Sequence, residues 1–317
     1  MLVTVFGGSG FVGRYVVQHL AHQGHRVRAA VRRPVLAEFL RTYGDVGQVQ
    51  PVQANVRDDR SVAAAVHGAD AVINLVGLLY ESGKQRFADV HAVGAGRVAR
   101  AAAAAGVRRM VQVSAIGADP GSTAEYARTK HAGEVAVREA FPTATILRPS
   151  IVFGPEDGFF NRFAGLARLL PVLPLIGGGE TRFQPVYVRD VASAVAQAAV
   201  GVPEPLYELG GPRAYSFRQL LEYILEQTER KCLLLPLPFE IARFEAFFLE
   251  MGASLLLRAP MLTRDQVELL RTDNVVRPGM PGLEQLGIEP TAIEAIVPTY
   301  LRRYRKGSAA VGLERHS

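Results

Sequence analysis

Tyr126 and Lys130 stand four residues apart in the run AEYARTKHAGE (124–134), a spacing that puts both side chains on one face of a helix. A nearby ammonium group lowers the pKa of a phenol and lets it exchange a proton with a substrate hydroxyl or carbonyl. Ser114 ends an apolar run upstream and is placed to hydrogen-bond the same reacting oxygen. We therefore predict Ser114, Tyr126 and Lys130 as the catalytic residues, with a plain helix-surface pair as the alternative.

The run GGSGFVG (7–13) follows the first apolar stretch of the chain and opens a helical segment. Glycine permits a positive φ and lets the backbone approach a pyrophosphate, while the helix N-terminus offers free N–H groups to the phosphate oxygens. The pattern predicts a dinucleotide site, against the alternative of a purely structural glycine turn. The predicted contacts in this loop are Gly7, Gly8, Ser9, Gly10, Phe11, Val12 and Gly13.

The end of the second apolar run indicates which dinucleotide is bound. An NAD site places an acidic residue there for the ribose 2′-hydroxyl, whereas this chain has Arg32 and Arg33. A guanidinium can hold a 2′-phosphate, so we predict NADP(H) in preference to NAD(H), with a solvated surface pair as the alternative. The remaining predicted cofactor contacts are Asn55, Val56, Asn74, Gly77, His91, Tyr126, Lys130, Pro149 and Ser150.

The elements that must position these residues alternate along the chain. Short apolar runs rich in β-branched residues are separated by segments with helical periodicity, which predicts a doubly wound parallel Rossmann sheet of the α/β class. The predicted strands are 2–6, 26–31, 48–52, 71–76, 109–114 and 143–148, and the clearest predicted helices are 11–23 and 90–105.

After Pro149 the alternation loosens, and proline and glycine become denser, which indicates a smaller, interleaved C-terminal α/β lobe. We expect residues 1–150 to form the NADP(H)-binding Rossmann domain, rejoined by about 183–203. The segments 151–182 and 204–317 would then form a smaller substrate or partner lobe with a basic C-terminal tail.

Composition narrows the class of protein. Hydrophobic residues make up 49% of the 317 residues and charged residues 21%, as in ordinary globular proteins. The single cysteine, Cys232, excludes an internal disulfide framework and fits a reducing compartment. The chain opens directly on a strand and has no run of about 18 apolar residues. We therefore expect a cytoplasmic protein, free or peripheral at the inner face of the membrane, with no signal peptide, membrane span or metal site.

The net charge of +6 is concentrated at the end of the chain, where five basic residues and one acidic residue follow Pro298. A basic tail on a near-neutral body is a weak signal for phosphate backbones, so we expect no nucleic-acid partner. The apolar segment 238–262 and the run RRYRK (302–306) are predicted to form an attachment surface for a protein partner or a membrane. The alternatives are a cap on the smaller lobe and a solvated helix end.

These motifs resemble the extended short-chain dehydrogenase/reductase superfamily: GGSGFVG, Ser114 and Tyr126-x-x-x-Lys130 match its site, and RPSIVFGPED (148–157) and ELGGPRAYSFRQL (208–220) its later signatures. Longer runs, such as LPLIGGGETRFQPVYVRDVA and PGLEQLGIEPTAIE, resemble the nucleotide-binding accessory subunit of respiratory complex I and its bacterial relatives. That resemblance implies an atypical member with tightly held NADP(H), which stabilises the fold or reports redox state.

One position departs from the pattern of the active members, which carry an asparagine on the helix after the fourth strand. His91 stands there, so the catalytic tetrad is incomplete. We expect an accessory or assembly factor of a respiratory NADH:quinone oxidoreductase, with complex I subunits as partners. The alternatives are an active NADP(H)-dependent reductase, dehydrogenase or epimerase acting on a quinone precursor, isoprenoid, lipid or sugar nucleotide, and an NADPH redox sensor.

Overall fold

The structure is a computed structural model that describes residues 1–244, 246 and 262–306. Most of the predicted attachment segment 238–262 and the chain beyond residue 306 therefore lie outside the described residues. A seven-stranded parallel sheet forms the centre of the fold. Its strands, in spatial order, are β11 (Leu206–Leu209), β6 (Thr145–Pro149), β5 (Arg109–Val113), β4 (Ala71–Asn74), β1 (Leu2–Phe6), β2 (Arg26–Val31) and β3 (Val49–Gln53).

Helices cover both faces of the sheet, which is why inner strands such as β1 and β4 are mostly apolar. One face packs against α1 (Phe11–His22) and α6 (Val188–Val200), and the other against α2 (Asp59–Val66), α3 (Ala95–Ala104) and α4 (Glu125–Ala140). The predicted doubly wound Rossmann sheet is confirmed. Its strand order reverses between β1 and β4, so the ligand crevice lies beyond their carboxyl ends.

The predicted helix 90–105 consists of two helical segments of different type. A π-helical stretch, Ala88–Gly94, runs directly into α3. It packs closely on α4 at Gly133, where a Cβ would lie only 2.0 Å from the carbonyl oxygen of His91. Glycine at 133 therefore lets the π-helical stretch approach the helix that carries Tyr126 and Lys130.

The described residues of the later part of the chain form three two-stranded sheets and an aromatic core around Phe160, Phe217 and Tyr300. The strand pairs are β7 (Val152–Phe153) with β10 (Val186–Tyr187), β9 (Arg182–Phe183) with β12 (Tyr215–Ser216), and β8 (Val172–Ile176) with β13 (Leu233–Leu237). The accompanying helices are α5 (Phe160–Leu169), α7 (Phe217–Thr228), α8 (Arg264–Leu269) and α9 (Ile293–Leu301).

Strand β11, at one edge of the seven-stranded sheet, lies just beyond the segment 183–203 that was expected to rejoin the first domain. The division into lobes stays a prediction. None of the helices described in the structure combines the length and the apolar character needed to cross a membrane.

A buried ion-pair network joins α4 to the sheet. The Arg148 guanidinium on β6 donates to both carboxylate oxygens of Glu134, at 2.8 and 2.6 Å, and its Nη1 lies 3.5 Å from Oε1 of Glu208 on β11. Glu208 in turn accepts two hydrogen bonds from Arg277, at its backbone nitrogen and at Nε. Because both carboxylates are almost fully buried, each depends on its guanidinium partners for solvation.

Arg148→Met should therefore lower the free energy of unfolding by about 3–5 kcal/mol, the cost of leaving buried carboxylates without a partner. Arg108→Met is the matched control, because Arg108 also lies 2.6 Å from its carboxylate partner, Asp70, but is largely exposed. In Arg108→Met the free energy of unfolding should fall by less than about 1 kcal/mol. Urea unfolding of both variants measures the difference, and similar small losses would contradict a dependence of the fold on Arg148.

Candidate cofactor site and active site

The glycine loop between β1 and α1 is shaped by its own backbone. Gly7 has a φ of +79°; its N–H donates to the Ala30 carbonyl, and its carbonyl accepts from the Gly10 N–H, both at 3.0 Å. Gly10 is the N-cap of α1 and provides no side-chain cap. The first N–H groups of α1 therefore remain available to an anion at the crevice.

The glycines of this loop are needed for different structural reasons. A Cβ on Gly13 would lie 2.1 Å from the Gly7 carbonyl oxygen, and one on Gly8 would lie 3.1 Å from Cβ of Ala29, so both positions are closed by packing. A Cβ on Gly10 would meet only the Gly7 oxygen, at 3.2 Å. Gly10 thus keeps open the approach to the helix end, as a bound pyrophosphate requires.

Two other residues predicted in this loop face away from the crevice. The Phe11 ring packs against Gly154 and edge-on against Tyr15, and Val12 packs against the core shared by α1 and α6. Only their backbone N–H groups are positioned to contact a phosphate.

A cavity of about 240 Å³ lies at the carboxyl ends of β1, β2, β3 and β4. Its lining contains several residues that the sequence analysis did not select, among them Arg57, Leu78 and Gln85. The predicted cofactor residues that line it are Gly7, Ser9, Gly10, Arg32, Asn55, Val56 and Gly77. This shape and lining fit a dinucleotide laid across the switch between β1 and β4. Among the described residues, no group of three potential metal ligands is present.

Two arginines meet at the end of the cavity next to β2 and β3. Arg32 donates from Nη1 to Oε1 of Gln85 at 2.6 Å, and Arg57 donates to the Lys84 carbonyl. Arg33 does not line the cavity; it precedes the 3₁₀ helix Pro34–Tyr43 and its side chain is exposed. The arginine pair of this site is therefore Arg32 with Arg57, which sequence reasoning missed although Arg57 follows the predicted Asn55–Val56.

Three further predicted cofactor residues are used inside the protein. The buried Asn74 amide donates to Oε1 of Gln112 at 2.9 Å, and the Ser150 hydroxyl donates to Oδ1 of Asn274 at 2.7 Å. Pro149 is the buried last residue of β6. None of the three lines the cavity. All three are instead buried within the protein.

Lys130 and Ser114 come together at the end of β5. The Lys130 ammonium is buried and donates to the Val113 carbonyl at 3.3 Å, and it lies 3.5 Å from the Cβ position of Gly77 on the cavity lining. Burial lowers the pKa of Lys130 to about 8. Ser114, which follows Val113, is buried, and its hydroxyl has no hydrogen-bond partner among the residues that the structure describes. An unpaired buried hydroxyl is costly, which fits a position that a ligand completes.

Tyr126 lies on α4 with its ring centre 6.0 Å from Nζ of Lys130. The sequence analysis expected the ammonium to lower the pKa of the phenol. Instead, burial and, secondarily, the Asp265 carboxylate raise the pKa of Tyr126 to about 12. The Lys130 ammonium is directed at the Val113 carbonyl.

His91 is buried, and both of its ring nitrogens have protein partners. Nε2 accepts from the Leu78 N–H at 2.9 Å, and Nδ1 lies 3.1 Å from the Thr129 hydroxyl. Since that hydroxyl donates to the Glu125 carbonyl, we assign the ring proton to Nδ1. Burial, and then the charge of Lys130, lower the pKa of His91 to about 3. The histidine is therefore neutral and has no free nitrogen for a relay water.

Residues 3–210 match the model of the NAD dependent epimerase/dehydratase family. The chain belongs to this family. The short-chain dehydrogenase/reductase resemblance is confirmed, and with it an NAD(P)-binding Rossmann fold of the epimerase/dehydratase type.

Two relatives of this epimerase/dehydratase family member have names that indicate different roles. NADH dehydrogenase (ubiquinone) 1 alpha subcomplex subunit 9, mitochondrial, of Rattus norvegicus is 38% identical over 310 residues, covering 96% of this chain and 81% of the relative. Ceramide reductase of Caulobacter vibrioides is 35% identical over 192 residues, covering 61% of this chain and 59% of the relative. The likeness to the complex I subunit therefore spans almost the whole chain.

A solved structure, the NADPH-dependent quinone oxidoreductase of Escherichia coli complexed with NADPH, has the same fold. It superposes with a TM-score of 0.74 at 21% sequence identity, covering 94% of this chain and 99% of the other. At that identity the match shows the fold alone.

Gly10→Ala and Gly13→Ala should separate cofactor binding from loop packing. At Gly10 the φ of −71° suits alanine, so the stability of cofactor-free protein should fall by no more than about 1 kcal/mol, while the rise in Tm produced by saturating NADPH should largely disappear. Gly13→Ala should lower the Tm with and without NADPH, because its Cβ overlaps the Gly7 oxygen. Thermal melts test both, and a full NADPH response in Gly10→Ala would contradict the assigned phosphate position.

Proposed function

We propose that this protein holds NADP(H) tightly as an accessory or assembly factor of a respiratory NADH:quinone oxidoreductase. The observation that carries the proposal is the 38% identity, over 96% of this chain, to a subunit named for NADH dehydrogenase (ubiquinone). The crevice and the uncapped start of α1 support dinucleotide binding. Binding is the part of the proposed role that the residues of this chain perform.

Preference for NADP(H) is supported by the charges at the cavity. Arg32 and Arg57 line it, and none of the described residues of the lining is a carboxylate that would repel a 2′-phosphate. The neutral Gln85 side chain and the Lys84 carbonyl, which the two guanidinium groups now bond, are partners that phosphate oxygens can replace with stronger, charge-assisted bonds.

Retention without turnover is supported by the other end of the crevice. A phenol with a pKa of about 12 is a weak proton donor near neutral pH, and His91 has no nitrogen left for a relay water. Lys130 can still bind a ribose hydroxyl, because that contact needs only its N–H groups. These features favour binding over proton transfer.

Arg32→Ala should weaken NADPH binding by about 1.5–3 kcal/mol, the range for a hydrogen bond to a charged group, and leave NADH affinity nearly unchanged. Arg33→Ala is the matched control, because Arg33 does not line the cavity. Calorimetric titration of NADPH and NADH into cofactor-free protein measures all four affinities. If the parent bound both cofactors equally, or if Arg33→Ala lost as much NADPH affinity as Arg32→Ala, the proposed preference would be wrong.

The accessory role predicts that binding, and not chemistry, is needed in the complex. In cells lacking the native gene, tagged parent and Tyr126→Phe proteins should both co-purify with the respiratory NADH:quinone oxidoreductase, whereas Gly10→Ala should be depleted from it. Mass spectrometry of the purified complex gives the ratios. Absence of the parent protein from the complex would overturn the role.

The Caulobacter vibrioides relative favours one second candidate, an NADPH-dependent reductase of a lipid carbonyl. The unpartnered Ser114 hydroxyl beside Lys130 supports it, since such a group can hold a carbonyl oxygen. In this case Tyr126→Phe would abolish NADPH oxidation by a ceramide-type ketone precursor while leaving the protein folded.

A further inference from the structure

Helix α4 begins without a cap of its own. Its N-cap is Ala124, whose side chain accepts no hydrogen bond. The N–H groups of Glu125 and Tyr126, in the first turn, therefore need an acceptor from elsewhere in the chain.

That acceptor is Asp265, on α8. One carboxylate oxygen accepts from the Glu125 N–H at 2.5 Å and the other from the Tyr126 N–H at 3.1 Å, across about 140 positions of sequence. Asp265 is half-buried, and each bond involves an ionised group, which strengthens it.

Neighbouring residues of α8 fix this carboxylate in place. Thr263 and Gln266 form a capping box at the start of α8, and the Gln266 amide also donates to the Leu79 carbonyl at 3.3 Å. Glu268 accepts from the Thr123 hydroxyl at 3.2 Å. The C-terminal part of the chain thus contacts both the start of α4 and the loop after β4.

The position of the Asp265 carboxylate matters because it lies at the N-terminus of α4. An uncapped helix N-terminus carries a partial positive charge that stabilises a nearby anion, and tyrosinate at 126 would be such an anion. The titratable groups facing Tyr126 are Lys130 on the same helix, the neutral His91 on the π-helical stretch, and Asp265. Among the described residues, Asp265 is the carboxylate that accepts from the amides of the first turn, which also contains Glu125.

We propose that Asp265 is a positioning residue for Tyr126, because it caps α4 from α8 and opposes ionisation of the phenol at the crevice. This inference rests on the proposed function, because a phenol that resists ionisation is a weaker proton donor and suits a retained cofactor more than a proton-transfer step. It also assigns α8 as the element through which the C-terminal part of the chain acts on Tyr126.

The test follows ionisation of Tyr126 in cofactor-free protein, so its outcome is independent of NADP(H) binding. Protein labelled with ¹³C at the tyrosine Cζ is titrated by NMR, and Tyr126→Phe identifies the signal among the ten tyrosines. In Asp265→Asn the pKa of Tyr126 should fall by roughly one unit or more, the size of effect that one nearby charge produces. Glu268→Gln, which removes a neighbouring charge of α8 without touching the two amides, should leave the titration unchanged.

A second variant separates the charge from the cap. Ala124→Ser with Asp265→Asn gives α4 a neutral local cap, which should restore most of the Tm lost in Asp265→Asn while the pKa of Tyr126 stays low. An unchanged Tyr126 titration in folded Asp265→Asn would overturn the proposal. So would a return of the double variant to the parent pKa, because the carboxylate charge would then not be the cause.

Discussion

The orientation of α4 depends on one buried guanidinium. Arg148 holds both carboxylate oxygens of Glu134, one turn beyond Lys130, so rotating α4 would separate charges that no water can solvate. The positions of Tyr126 and Lys130 on that helix follow from this ion pair. The same guanidinium faces Glu208, which binds Arg277. This ion-pair network therefore connects the sheet, helix α4 and the segment after α8.

The two ends of the crevice differ in how their polar groups are satisfied. At one end Arg32 is bonded to a neutral side chain that a phosphate can replace. At the other end both ring nitrogens of His91 have partners and the pKa of Tyr126 is raised, and among the described residues the buried Ser114 hydroxyl has no partner. Exchangeable partners at the phosphate end and a phenol that resists ionisation at the reacting end favour binding over turnover, which is the physical basis of the proposed function.

Local patterns predicted the sheet well. The strands β1 and β2 fall at their predicted bounds, because burial on both faces makes most residues of each run apolar. The glycine loop is followed by α1, which the spacing of its glycines implied. Contacts between distant segments could not be predicted: nothing near Asp265 marks it as the cap of α4, and nothing near Ser150 shows that its hydroxyl bonds Asn274. Arg57 was missed because its role depends on the fold of the loop at Lys84.

Lysine at position 130 is unusual in a chain with far more arginine than lysine, and its surroundings explain the choice. The ammonium is buried against the Val113 carbonyl, where burial lowers the pKa of Lys130 to about 8. An arginine would remain charged at that depth, whereas a lysine can exist in both forms near neutral pH. A dinucleotide brings negative phosphates into the crevice, which favours the ammonium form. We therefore expect cofactor binding to be coupled to protonation of Lys130.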